Sequence, residues 1–120
     1  MCKGIGLDIC EISRMERNLS DSRFLSRYFT DHEIAYIHSR GKQAVQTLAG
    51  LFAAREALGK SLGHGIDFSL KEAEVRHDAN GQPFYHLTGE LAQRTAGDRF
   101  FLSISHDGGI AAAVCVRESL

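Results

Sequence analysis

Cysteine, proline and net charge are all scarce in this chain, and long apolar runs are missing. Its three cysteines, Cys2, Cys10 and Cys115, are odd in number and form no Cys-x-x-Cys pair, which argues against a secreted disulfide framework. Cys10 and Cys115 sit in apolar, strand-like patterns and read as small core residues. The six histidines include no pair four apart of the metalloprotease kind, so a zinc site is not expected. One proline, no repeat and no linker leave residues 1–120 as a single domain, long enough to bury roughly two-thirds of its unfolded surface. No apolar stretch approaches the ~18–20 residues of a transmembrane helix. Met1-Cys2-Lys3-Gly4 enters a strand pattern without a charged region and an apolar signal core. These absences point to a soluble, cytoplasmic protein, and the formal charge of −1 argues against a dedicated nucleic-acid binder.

The patterning that remains predicts an α+β fold. Residues 3–10 alternate, with Ile5, Leu7 and Ile9 on one face and Gly4, Gly6 and Asp8 on the other. Ser13-Arg14-Met15-Glu16 and Thr30-Asp31-His32-Glu33 read as capping boxes, and Asp21 or Ser22 as the cap of a helix between them. From about Lys42 to Leu62 runs the longest helical pattern, with Leu48, Leu51, Phe52, Leu58 and Leu62 as its apolar face. Gly63-His64-Gly65 ends it. Next come a hairpin with an Asn80-Gly81 turn, a short helix from Thr88 to Ala96, and a second hairpin around Asp107-Gly108-Gly109. The expected architecture is a mostly antiparallel sheet packed on a long central helix.

Asp8 is the first candidate for chemistry. An aspartate among Ile, Leu and Ile is disfavoured in a strand, and its glycine neighbours leave room for a ligand or another backbone. An edge-strand carboxylate facing water is the plainer alternative. Glu56 and Lys60, four apart on a narrow alanine-rich helix, are either a surface ion pair or part of a site. One or two carboxylates with phosphate oxygens and waters are what Mg²⁺ takes, so Asp8, Glu56 and Lys60 have the composition of a diphosphate-binding metal site if they meet. Ser103, Ser105, His106 and Asp107 are too close in sequence to converge as a nucleophilic triad. His106 fits either as a ligand-binding group at a strand end or as a purely structural residue. Arg14, Arg17, Arg23 and Arg27 stand against only Glu16 and Asp21, a basic patch suited to a phosphate or an acidic partner, or simply a solvated helix face.

In order, GIGLDICEISRM at 4–15, FT-x-x-E at 29–33, LAGLFAAREALGKSLGHGI at 48–66, NGQPF at 80–84 and SISH at 103–106 resemble the holo-(acyl-carrier-protein) synthase family. These are the small 4′-phosphopantetheinyl transferases. The resemblance spans nearly the whole chain. It implies transfer of the 4′-phosphopantetheine arm of coenzyme A to a serine of apo-acyl carrier protein, in fatty acid biosynthesis, with release of adenosine 3′,5′-bisphosphate. It further implies Asp8 and Glu56 as Mg²⁺ ligands, and Lys60, Gly63, Pro83 and His106 as coenzyme A contacts; Lys60 is then catalytic through the diphosphate, and Glu56, directly or through a metal-bound water, is the candidate to accept the serine proton. His106 would come from a neighbouring subunit of a homotrimer. Arg14, Arg17 and Arg23 would dock the acidic carrier protein.

Three positions depart from the family pattern. Arg55 replaces a lysine, Gly63-His64-Gly65 replaces Gly-Thr-Gly, and Leu51 replaces an arginine that the resemblance assigns to the 3′-phosphate of coenzyme A. The last contact would then fall to Lys42 or Arg55. Two other readings compete with the transferase: a non-enzymatic coenzyme A or nucleotide-binding module, and a metal-dependent phosphohydrolase. The module needs no full metal set, and the hydrolase usually needs more carboxylates than these two.

Overall fold

The structure, a computed structural model, describes residues 1–120. The alternating N-terminal segment is strand β1 (Cys2–Glu11), and its glycine-bearing face is the one that meets the rest of the protein. Ile5, Leu7 and Ile9 point outward, 65%, 59% and 64% exposed. Against the other face lies the long helix α4 (Ala44–Ser61). A Cβ on Gly6 would stand 1.8 Å from the Ala57 carbonyl oxygen, and one on Gly4 would stand 2.1 Å from that of Ser61. Two residues along a strand match about one helical turn, so strand and helix run side by side with backbone against backbone.

Between β1 and α4 the chain makes three short helices, α1 (Glu16–Leu19), α2 (Ser22–Tyr28) and α3 (Asp31–Ser39). After α4 come strands β2 (Ala73–His77) and β3 (Pro83–Leu87), helix α5 (Gly89–Arg94), and strands β4 (Asp98–Asp107) and β5 (Ile110–Ser119). The main sheet has the order β1-β5-β4 with antiparallel pairs throughout; β2 and β3 form a separate antiparallel hairpin. Register aligns Asp8, Ala113 and Ile104 across the sheet, and Cys10, Ala111 and His106 beside them. Leu48, Leu51, Ala53, Ala54, Ala57 and Leu58 of α4 are buried in one core with Cys10, Cys115, Ile37, Val75 and Leu91.

Two of the three expected caps form. The Asp21 carboxylate accepts from the backbone N–H groups of Arg23 and Phe24, and Thr30 with Glu33 closes a full capping box. Ser13 does not cap: a 3₁₀ turn over Ile12–Met15 leaves β1 directly, so Ser13 lies inside the turn and Met15 precedes α1 without a side-chain cap. Lys42 likewise sits in a 3₁₀ turn (Gly41–Gln43) ahead of α4. The first hairpin is closed by a longer loop than an Asn-Gly turn. The Asp78 carboxylate accepts from the N–H groups of Asn80 and Gln82 and so organises residues 78–82.

Glu33 does far more than cap α3. Fully buried, it also receives both terminal nitrogens of the Arg55 guanidinium and the Val75 N–H at 2.9 Å. Arg55, 1% exposed, donates its Nε to the Leu70 carbonyl at 3.2 Å and lies over the Phe29 ring. A planar fork can make this set of bonds and a lysine cannot. The pair ties α3, α4, β2 and the Leu70 turn together and sets the rotation of α4 one residue before Glu56.

Candidate active site

Helix α4 divides the candidate residues into two groups. On its C-terminal half, Glu56 and Lys60 stand beside Asp8 of β1. The Lys60 ammonium donates to the Leu7 carbonyl at 2.9 Å and reaches an Asp8 carboxylate oxygen at 3.4 Å. Lys60 therefore pairs across elements with Asp8, and no Glu56–Lys60 bridge forms along the helix. Asp8 is mostly covered, its side chain 18% exposed, whereas Lys60 is half exposed. Burial, and next the Asp8 carboxylate, raise the Glu56 pKa, with Lys60 pulling the other way. Two carboxylates close enough to oppose each other's ionisation, with one ammonium beside them, make a site that a small cation would relieve.

Immediately beyond Lys60, Gly63 and Gly65 adopt φ of 93° and 73° and wrap the helix end, the Gly65 N–H returning to the Gly59 carbonyl at 3.1 Å. His64 contacts Asp67 at 3.2 Å, and Arg94 of α5 meets the same carboxylate at 3.1 Å.

The second group surrounds a cavity of about 180 Å³ on the N-terminal half of α4. Leu51, Pro83 and His106 line it, together with Arg40, Gln46 and Tyr36; Asp8, Glu56 and Lys60 do not. The Gln46 amide lies 2.9 Å from His106 Nε2. Tyr36 stacks on His77 with ring centroids 4.4 Å apart, and burial, then Arg40 and His32, push the His77 pKa down. No group of three or more His, Cys, Asp or Glu side chains is placed to hold a metal ion. The metal expectation thus rests on the Asp8–Glu56 pair alone. Their hard oxygen donors fit a cation that takes one or two carboxylates and completes its shell with phosphate and water.

Arg14 and Arg17 project from the Ile12–Met15 turn and α1 into a shallow hollow with Ser13, Glu16 and Asn18. Arg23 and Arg27 lie on α2, and all four arginines are exposed. Ser103 and Ser105 face outward on β4, away from His106, so the three side chains share no site.

The profile of the 4′-phosphopantetheinyl transferase superfamily matches residues 4–115. A holo-(acyl-carrier-protein) synthase of Treponema denticola is 40% identical, covering 98% of this chain and 99% of its own length. The chain belongs to the holo-(acyl-carrier-protein) synthase family of 4′-phosphopantetheinyl transferases. The same holds in three dimensions. The Neisseria meningitidis holo-(acyl-carrier-protein) synthase superposes with a TM-score of 0.87 at 31% identity, covering 99% of this chain and all of that one. The Bacillus anthracis holo-(acyl-carrier-protein) synthase, solved in complex with coenzyme A (3′,5′-ADP), gives 0.85 at 35% identity over 100% of this chain and 99% of that one. The α+β fold class and the enzyme class of this phosphopantetheinyl transferase therefore stand as read from the sequence.

What the sequence did not reveal is the rest of the cavity: Arg40, Gln46, Tyr36 and His77 carry no motif. Their only signal was negative, the leucine at position 51. Of the two cations offered in its place, Arg55 is excluded by its burial against Glu33, and Lys42 does not line the cavity.

Proposed function

We propose that residues 1–120 act as one transferase domain that moves the 4′-phosphopantetheine group of coenzyme A onto a serine of apo-acyl carrier protein, in fatty acid biosynthesis in the cytoplasm. The convergence of Asp8, Glu56 and Lys60 at one place on α4 carries this reading. Sequence spacing left that meeting open. The serine Oγ forms a bond to the pantetheine-side phosphorus, the bridging P–O bond breaks, and adenosine 3′,5′-bisphosphate leaves with the electron pair. Lys60, half exposed and only loosely held to Asp8, is free to pair with the diphosphate as negative charge moves onto the leaving oxygen. Glu56 takes the serine proton; a carboxylate whose pKa is raised is the stronger base for that step. Mg²⁺ held by Asp8 and Glu56 would supply neutralisation of diphosphate charge. Gly63 would bring the turn after Lys60 against the pantetheine side, while Pro83 and His106 hold the adenosine end.

The separation of the two groups by α4 favours a site completed between copies. We place one copy's Asp8, Glu56 and Lys60 opposite another's Leu51, Pro83 and His106, in a homotrimer. The outward sheet face supports association: Ile5–Val116–Phe101 and Leu7–Val114 form contiguous apolar rows, with Phe101 half exposed. Arg14, Arg17 and Arg23 would receive the acidic carrier. Incubation with coenzyme A, Mg²⁺ and apo-carrier, followed by intact mass of the carrier, tests the function. A gain of one phosphopantetheine is expected. Binding of coenzyme A without a mass change, or its cleavage without an adduct, contradicts the transferase.

A further inference from the structure

The cavity on the N-terminal half of α4 contains no carboxylate. Its one permanent cation is Arg40. Arg40 closes α3 and forms no ion pair; its guanidinium donates to the Gln43 side-chain oxygen at 3.2 Å and lies 5.5 Å from the Tyr36 ring centroid. Tyr36 is itself backed by the stacked His77, whose depressed pKa keeps that ring neutral, so the platform adds no competing charge. The arginine is thereby held at the rim with most of its donor fork unused. His106, fixed by Gln46, adds a second nitrogen, and Leu51, Pro83 and Ile104 supply an apolar wall. An uncompensated planar fork beside an apolar wall matches a phosphomonoester attached next to a flat ring. Within coenzyme A only the 3′-phosphoadenosine end has that combination, since the diphosphate belongs with Lys60.

We propose that Arg40 is the residue that recognises the 3′-phosphate of coenzyme A, taking over from a different element the contact that Leu51 cannot make. Tyr36 and Gln43 act as positioning residues for it. The inference rests on the placement of the adenosine end in this cavity, and the test separates the two. Affinities for coenzyme A and for its 3′-dephospho form are measured by titration calorimetry on the full-length wild type, Arg40→Gln, Arg40→Lys and Lys42→Gln. Wild type is expected to prefer coenzyme A. Arg40→Gln, an exposed substitution whose folding is checked by its melting curve, weakens coenzyme A roughly ten- to a hundredfold and leaves the dephospho form unchanged. Arg40→Lys retains part of the preference, and Lys42→Gln retains all of it. A preference that survives in Arg40→Gln, or an equal loss for both ligands, overturns the role of Arg40 while leaving the cavity assignment intact. A preference carried by Lys42 overturns it too. Equal binding of both ligands by the wild type removes the 3′-phosphate contact, whereas a Pro83→Ala or Leu51→Ala variant that binds both ligands as the wild type does removes the adenosine placement.

Discussion

Glu56 is asked to be ionised in a place that resists ionisation. Burial and the Asp8 carboxylate raise its pKa in the folded protein, so between the unfolded and folded values the native state binds the extra proton. Stability falls as pH rises through that window, and at neutral pH the charged side chain works against folding. Glu56→Gln should therefore melt higher than wild type at neutral pH without divalent cations, by on the order of a few degrees, with the difference vanishing in acid. Added Mg²⁺ should raise the wild-type melting temperature and leave the variant's unchanged, while transfer is lost. A variant that keeps both Mg²⁺ affinity and normal turnover would remove Glu56 from the chemistry. Arg55 shows the opposite arrangement, a buried charge with each of its three guanidinium nitrogens hydrogen-bonded. Arg55→Met strands Glu33 in the core and should cost about 3–5 kcal/mol in denaturant unfolding. Pairing it with Glu33→Gln should restore part of that loss.

At the scale of elements, the decisive packing is β1 on α4. The alternation of glycine with large aliphatics was visible in the sequence, and so was the room it leaves beside Asp8. The burial pattern shows why pattern alone stops there: the aliphatic face is the exposed one, because two helix carbonyls occupy the glycine face. Hydrophobicity alone gives no sign of a backbone approaching a glycine. The Thr30–Glu33 box was legible because capping is local, whereas the long-range bonds from Glu33 to Arg55 and Val75 were not. Ser13 failed as a cap because a turn continuing from β1 overrode its local signal. Gly6→Ala should push the Ala57 turn away from β1, destabilise the fold by about 1–3 kcal/mol or more, and separate Asp8 from Glu56. Unfolding curves and carrier modification rates, read together, check both effects.

For the whole molecule, the candidate site was legible as a list of residues and illegible as a shape. Asp8, Glu56 and Lys60 do meet, but Pro83 and His106 face a different flank of the same helix. That division follows from the sheet order β1-β5-β4, which sets Asp8 and His106 on opposite outer strands. In the proposed homotrimer a second copy would complete the site, and Ile5, Leu7, Ile9 and Phe101 are the exposed apolar residues available to meet it. Leu7→Glu should lower the mass in solution by light scattering and abolish transfer, leaving the monomer folded. Asp8→Asn shows whether the Asp8, Glu56 and Lys60 cluster transfers the phosphopantetheine arm. This variant removes one carboxylate charge with little change in shape. With coenzyme A, Mg²⁺ and apo-carrier followed by intact mass, wild type should add one phosphopantetheine to each carrier. Asp8→Asn, still folded, should add it at least about a hundredfold more slowly. Modification at the wild-type rate by Asp8→Asn, or no modification by wild type, contradicts the account.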